Sequence, residues 1–232
     1  QATADATTLF RANSLAAICL DAYLNLVGVE TLIEVLIPHI TEIFRTGKSF
    51  EVDPGRSPKG ALASLKESIK GTDIKKNMEY LLQFSKAVWK SIQESESMLP
   101  NSVRFVFSVI QKEASARFPD EQNVPYTCIS GFVFLRFFCA ALLGPHLFQL
   151  TNEVPENKVA RNLTLVAKVL MNLANLNHFG KKEAFLEPAN DFLEKHFEPM
   201  KAYLNQVSTP NMQEEIEPPV TTVNYAREMT VL

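Results

Sequence analysis

Three cationic side chains stand out by what surrounds them. Arg11 lies in Thr8-Leu9-Phe10-Arg11-Ala12-Asn13-Ser14-Leu15-Ala16, behind an apolar pair and ahead of a helix-start signal. Leu9 and Phe10 can anchor a loop in the core, and a helix capped near Ser14 can fix its far end. Such a loop would present a guanidinium rigidly to a partner. That group stays charged and forks its donors towards phosphate oxygens. An arginine before a helix is also commonly a solvated surface residue, and the neighbours rather than the arginine raise the sharper possibility.

Arg136 is the only charged residue between Pro125 and Pro145. Its neighbours Phe132, Val133, Leu135, Phe137, Phe138 and Leu142 cover nearly the whole circumference of a helix. A guanidinium there needs several acceptors or an edge to reach, because an unpaired buried charge is expensive. Two roles satisfy that demand: a salt bridge inside a bundle, or hydrogen bonds to backbone carbonyls of the Arg11 loop. Lys168 lies on a stripe with Arg161, Thr164, Asn172 and Asn175, spaced to share one helix face. The stripe lacks Asp and Glu. It reads either as the wet face of a bundle helix or as a surface suited to an acidic partner.

The elements that must position these groups are helical throughout. A helix capped by Asn13 or Ser14 is predicted to run to about Val27 and stop at Gly28, with a second from about Glu30 to Arg45. Pro38 predicts a kink or break in the second, and Gly47 its end. Residues 48–72 read as a loop with a short helix near Leu62 to Lys70, followed by a long amphipathic helix over Asp73 to Met98. Further helices are predicted from Asn101 or Ser102 to Phe118, from Tyr126 to Gly144, from Asn157 to Leu176, and from Lys182 to Val207 with a kink near Pro188. Tyr126 to Gly144 approaches the length of a membrane span, but Arg136 near its middle marks it as the buried central helix of a bundle. The expected architecture is all-α: one bundle-like domain over 1–207, then a tail or linker over 208–232 with Tyr225 and Val231 as docking points.

Composition narrows the function. A net charge of -3 and a pI near 5.9 argue against general nucleic-acid binding. The three cysteines, Cys19, Cys128 and Cys139, form no CxxC pair and read as reduced core thiols. There is no GxxxxGK[ST] loop and no cluster of metal ligands, and His39, His146, His178 and His196 are scattered. No serine or cysteine has an evident base partner, so an enzyme with its own nucleophile is disfavoured.

Three ordered blocks resemble the catalytic module of Ras GTPase-activating proteins. They are Thr8-Leu9-Phe10-Arg11 with Leu15-Ala16, Gly131-Phe132-Val133-Phe134-Leu135-Arg136, and Leu165-Val166-Ala167-Lys168 with Asn172-Leu173-Ala174-Asn175. The resemblance spans roughly Thr7 to Leu204. It implies an all-helical fold with a shallow groove for the switch regions of a Ras-subfamily GTPase in its GTP-bound form. It implies that Arg11 is the arginine finger and that Arg136 steadies the finger loop. Phe134 and Leu135 belong to the Phe-Leu-Arg motif and are expected to contact the GTPase, with Leu135 beside the groove, and Lys168 meets the acidic switch surface. Asn172 is expected to line the groove. No cofactor or metal of the chain's own is implied, since GTP and Mg²⁺ belong to the partner. The expected location is cytoplasmic, with recruitment to the inner face of the plasma membrane by flanking domains. A Rap-type target and a non-stimulating scaffold are the alternatives. Ala140-Ala141 stands where the family usually has Pro-Ala, which predicts a straighter helix there. Only ten residues precede Arg11, where family members carry upstream helices, which predicts a less preorganised finger.

Overall fold

The computed structural model of this chain describes residues 14–56 and 63–213. Among them the regular structure is entirely helical, with no strand. Helix α1 (Leu15–Val27) starts where Ser14 accepts a hydrogen bond from the Ala17 amide, and it ends at Gly28. Helix α2 (Val29–Arg45) leaves Gly28 at 69° to α1. Pro38 neither breaks nor ends α2. Its ring points to solvent, and the Glu34 carbonyl it leaves without an amide partner belongs to an exposed residue that water can serve.

Helix α3 (Ala63–Glu94) is longer than its sequence signal: the short helix expected near 62–70 and the amphipathic helix after Asp73 are one element. Helix α4 (Asn101–Arg117) follows a 3₁₀ turn at Glu96–Met98. Helix α5 (Val124–Leu143) is the central one, and most of it is buried inside the protein although it is long and apolar enough to cross a membrane. It runs through Ala140 without interruption. Helix α6 (Asn157–Ala174) packs across α5 and α3. The predicted last helix is two elements, a 3₁₀ stretch over Lys181–Ala189 with a non-helical Glu183 inside it, and α7 (Asn190–Val207). The first residues after α7 pack back on the domain; the rest of the expected tail, with Tyr225 and Val231, lies outside the described residues. Ser208 is buried, and Asn101 exchanges two hydrogen bonds of 2.8 and 2.7 Å with the backbone of Asn211.

The core lies where α5, α6, α3 and α7 converge. Trp89, Phe134 and Tyr203, from three different helices, pack ring against ring at 5.6–6.2 Å. Burial of several such rings at 1% exposure or less supplies the main apolar driving force, on the order of 1.5–3 kcal/mol per side chain.

Candidate functional site

Helix α5 changes winding where the chemistry is expected. Gly131–Phe138 is a π-helix, closed by the Cys139 amide donating to the Phe134 carbonyl five residues back. Such insertions are rare and tend to mark functional segments. Phe132, Val133, Phe134, Phe137 and Phe138 all turn into the core. Leu135, at 41% exposure, and half-buried Arg136 are what this part of the helix shows to the outside.

Phe134 therefore departs from its expected place. It is 1% exposed and enclosed by Trp89, Tyr203 and Phe138, so it cannot touch a docked protein directly. Its aromatic ring holds the helix that presents its two neighbours. Arg136 is engaged by a partner within the protein, as a guanidinium in apolar surroundings must be.

Helix α6 crosses α5 at this level. The Cys139 thiol, one residue past the π-helical stretch, lies 3.7 Å from the Ala167 carbonyl, and Lys168 is the next residue. The helix carrying Leu135 and Arg136 and the helix carrying Lys168 thus meet at one crossing. Burial holds the Cys139 thiol protonated well above its ordinary pKa, so it acts there as a small apolar group and weak donor.

The polar stripe of α6 forms as its spacing predicts: Arg161, Thr164, Lys168, Asn172 and Asn175 are all half-buried, while Asn162, Leu163, Leu165, Val166 and Ala167 face inward. The missing acids arrive from elsewhere in the chain. Glu51 takes Arg161 in a two-point grip, Nε to Oε2 at 2.8 Å and a terminal nitrogen to Oε1 at 2.9 Å. That hydrogen bond, chiefly, raises the Arg161 pKa further. Lys168 is paired with Glu183, the non-helical residue of the 3₁₀ stretch. Asn172 sits one turn on, its side-chain amide 3.5 Å from the Lys168 carbonyl. Neither acid was distinguishable by spacing, because each is brought in by a loop far from α6 or by the turn after it.

Asn162 supports the Glu51 loop from below, accepting from the Phe50 amide at 2.9 Å and donating to the Lys48 carbonyl at 3.0 Å. Asn77 of α3 adds a bond to the Glu51 carbonyl at 2.8 Å. Arg11 lies outside the described residues; the helix that follows it, α1, packs on the π-helical stretch of α5. Among the described residues no group of three or more His, Cys, Asp or Glu side chains is placed to hold a metal ion.

Among the described residues the domain is all-helical, with Leu135 exposed on α5 and half-buried Lys168 on the helix that packs across it. The profile of the family described as "GTPase-activator protein for Ras-like GTPase" matches residues 1–175. The chain is 40% identical over 202 residues to the "probable Ras GTPase-activating-like protein ngap" of Dictyostelium discoideum, covering 87% of this chain and 22% of that protein. It is 35% identical over 212 residues to "Ras GTPase-activating protein 3" of Bos taurus, covering 89% and 24%. With "Ras GTPase-activating protein raskol" of Drosophila melanogaster the identity is 35% over 205 residues, covering 88% and 12%. The chain belongs to the family of GTPase-activator proteins for Ras-like GTPases, and it spans less than a quarter of the length of these relatives.

Proposed function

We propose that this domain binds a Ras-type GTPase in its GTP-bound form and accelerates GTP hydrolysis by lending it Arg11. The observation that supports the reading is the packing of α6 across α5: the Cys139 thiol of α5 meets the Ala167 carbonyl, one residue before Lys168, and Leu135 on the same α5 is exposed. Helix α1, which begins four residues after Arg11, packs on that same stretch of α5. Arg136 steadies the finger loop, Leu135 enters the apolar part of the contact, and Lys168 with Asn172 faces the acidic switch surface.

The reaction is phosphoryl transfer to water in the GTPase's own site, with nucleotide and Mg²⁺ supplied by the GTPase. The guanidinium neutralises charge developing on the transferred phosphoryl group and its leaving oxygen, and it helps order the water-positioning glutamine. An arginine finger is worth about 10³–10⁵ in rate, a figure established on Ras and its activators themselves and not worked out from this structure. Attachment to a membrane would come from other parts of the full-length protein.

Single-turnover GTP hydrolysis by Ras, with the chain and with Arg11→Ala, tests the proposal. Strong stimulation that the variant loses while still binding GTP-loaded Ras is expected. Binding without stimulation by the unaltered chain would make it a scaffold, and stimulation of Rap but not Ras would change the target.

A further inference from the structure

Gly28 is the hinge point between α1 and α2, and it has no room for a side chain. A Cβ there would lie 2.6 Å from Phe137 Cζ, 2.9 Å from Phe137 Cε2 and 2.7 Å from the Leu24 carbonyl oxygen. Its φ of -100° is open to any residue, so close approach and not backbone conformation demands glycine. Phe137 is fully buried and braced edge-on by Phe138 at 5.0 Å, so the ring cannot swing away freely. It is also the residue after Arg136, on the π-helical stretch. The Gly28 amide closes α1 through a 2.9 Å bond to Leu24, and the Gly28 carbonyl opens α2 through a 3.1 Å bond from Leu32. The bend is thereby held rigidly against one aromatic ring.

We infer that the contact between Gly28 and Phe137 positions the arginine finger: it seats α1 on the helix that bears Leu135 and Arg136. The inference rests on the proposed function. Helix α1 is a rod of about 20 Å at 1.5 Å per residue; Arg11 precedes its first residue by four in sequence, and Gly28 stands at its other end. Moving a Gly28 Cβ from 2.6 Å to an ordinary contact of 3.4 Å or more displaces the seat by about 0.8 Å. A misplacement near 1 Å can cost about 10²-fold in rate when it reaches a catalytic group. Gly28 and Phe137 are positioning residues, since both are buried within the protein.

The test compares Gly28→Ala, Phe137→Leu and the double variant in single-turnover hydrolysis across GTPase concentrations, with hydrogen exchange read over residues 15–27. Gly28→Ala is expected to lower the maximal rate about 10–100-fold, to change the half-saturating concentration less than about threefold, and to speed exchange in α1. Phe137→Leu removes the obstructing ring, so the double variant should recover about threefold or more of the lost rate and part of the α1 protection. The Leu24 carbonyl keeps recovery incomplete. If Gly28→Ala does not fold, Phe137→Leu alone, which unseats α1 from the other side, should lower the maximal rate about tenfold at unchanged affinity. A Gly28→Ala protein with full rate and unchanged α1 exchange overturns the inference, as does a double variant no better than the single. Absence of stimulation by the unaltered chain would sink the proposed function instead, while α1 exchange would still report on the seat.

Discussion

Replacing Phe134 by leucine separates two meanings of a motif residue. If the ring is a structural brace, the cost appears in stability; if it touches the GTPase, the cost appears in affinity. Phe134 is 1% exposed and makes ring contacts with Trp89 at 6.2 Å, Tyr203 at 6.1 Å and Phe138 at 6.1 Å. At about 0.5–1.5 kcal/mol for each aromatic pair beyond area burial, their loss amounts to ~1.5–4.5 kcal/mol. For a chain of this size each kcal/mol moves Tm by about 2–4 °C, so Phe134→Leu should lower Tm by roughly 3–18 °C. Leu135→Ala is the counterpart. That side chain is 41% exposed, so Tm should move by about 2 °C or less while affinity for GTP-loaded Ras falls about tenfold. Thermal melts followed by circular dichroism, and binding measured well below the lower Tm, give both numbers. A Phe134→Leu protein with the original Tm and weakened binding would refute the assignment and put the ring in the interface.

Four further expectations follow from single contacts. Glu183→Gln should change stability by no more than about 1 kcal/mol in thermal melts, because the pair with Lys168 is about a third exposed, whereas Lys168→Glu should weaken GTPase binding and flatten its salt dependence. Arg161→Met should cost about 1–3 kcal/mol and speed hydrogen exchange over residues 48–53, since it leaves half-buried Glu51 without its two-point partner. His39 is half-buried against Ser91 at 2.8 Å, and burial lowers its pKa below 6.5. The folded state then binds fewer protons than the unfolded state, so stability is retained above about pH 6.5 and falls as pH drops below it. Urea titrations from pH 7.5 to 5.5 should show that slope, and His39→Gln should flatten it. Cys19 is exposed rather than the core thiol its apolar sequence setting suggests, so iodoacetamide at neutral pH should modify it in the native protein and spare Cys128, whose thiol burial pushes to about 11, and Cys139, raised further; mass spectrometry would count one adduct native and three in denaturant.

Local signals predicted local structure well. Ser14 and Gly28 marked both ends of α1 because capping acts over a few residues. Helix α6 and its stripe emerged at the predicted spacing because a 3.6-residue period is written directly in the chain. The central helix was recognisable by its apolar run, but its π-helical winding was not, since nearly every residue there is apolar and no period remains to read. For the same reason the sequence offers no sign that Phe134 faces inward while Leu135 faces out. Pro38 misled by its local effect alone: what a proline costs depends on whether the carbonyl it orphans reaches water, and that is a property of the fold. The union of two predicted elements into α3 was hidden by the polar stretch around Gly71. Long-range pairing was equally hidden: Glu51 and Arg161 are 110 residues apart.

The two acids that reach α6, Glu51 and Glu183, hold the cations of its stripe with unequal firmness. A docking surface for an acidic partner needs a cation that can exchange its partner at low cost. Arg161 does not qualify: its side chain is 17% exposed, Glu51 is 23% exposed, and the planar fork is satisfied at two points by a loop that Asn162 and Asn77 also hold. Releasing it would strand a half-buried carboxylate and loosen residues 48–53. Lys168 holds Glu183 with a flexible stem, at 37% and 28% exposure, and Glu183 sits where the helical path is already broken. Water can take over both groups as they part, so the exchange costs little. Of the cations on that stripe, Lys168 is therefore the one free to trade its acid for another protein's, while Arg161 builds the wall beside it.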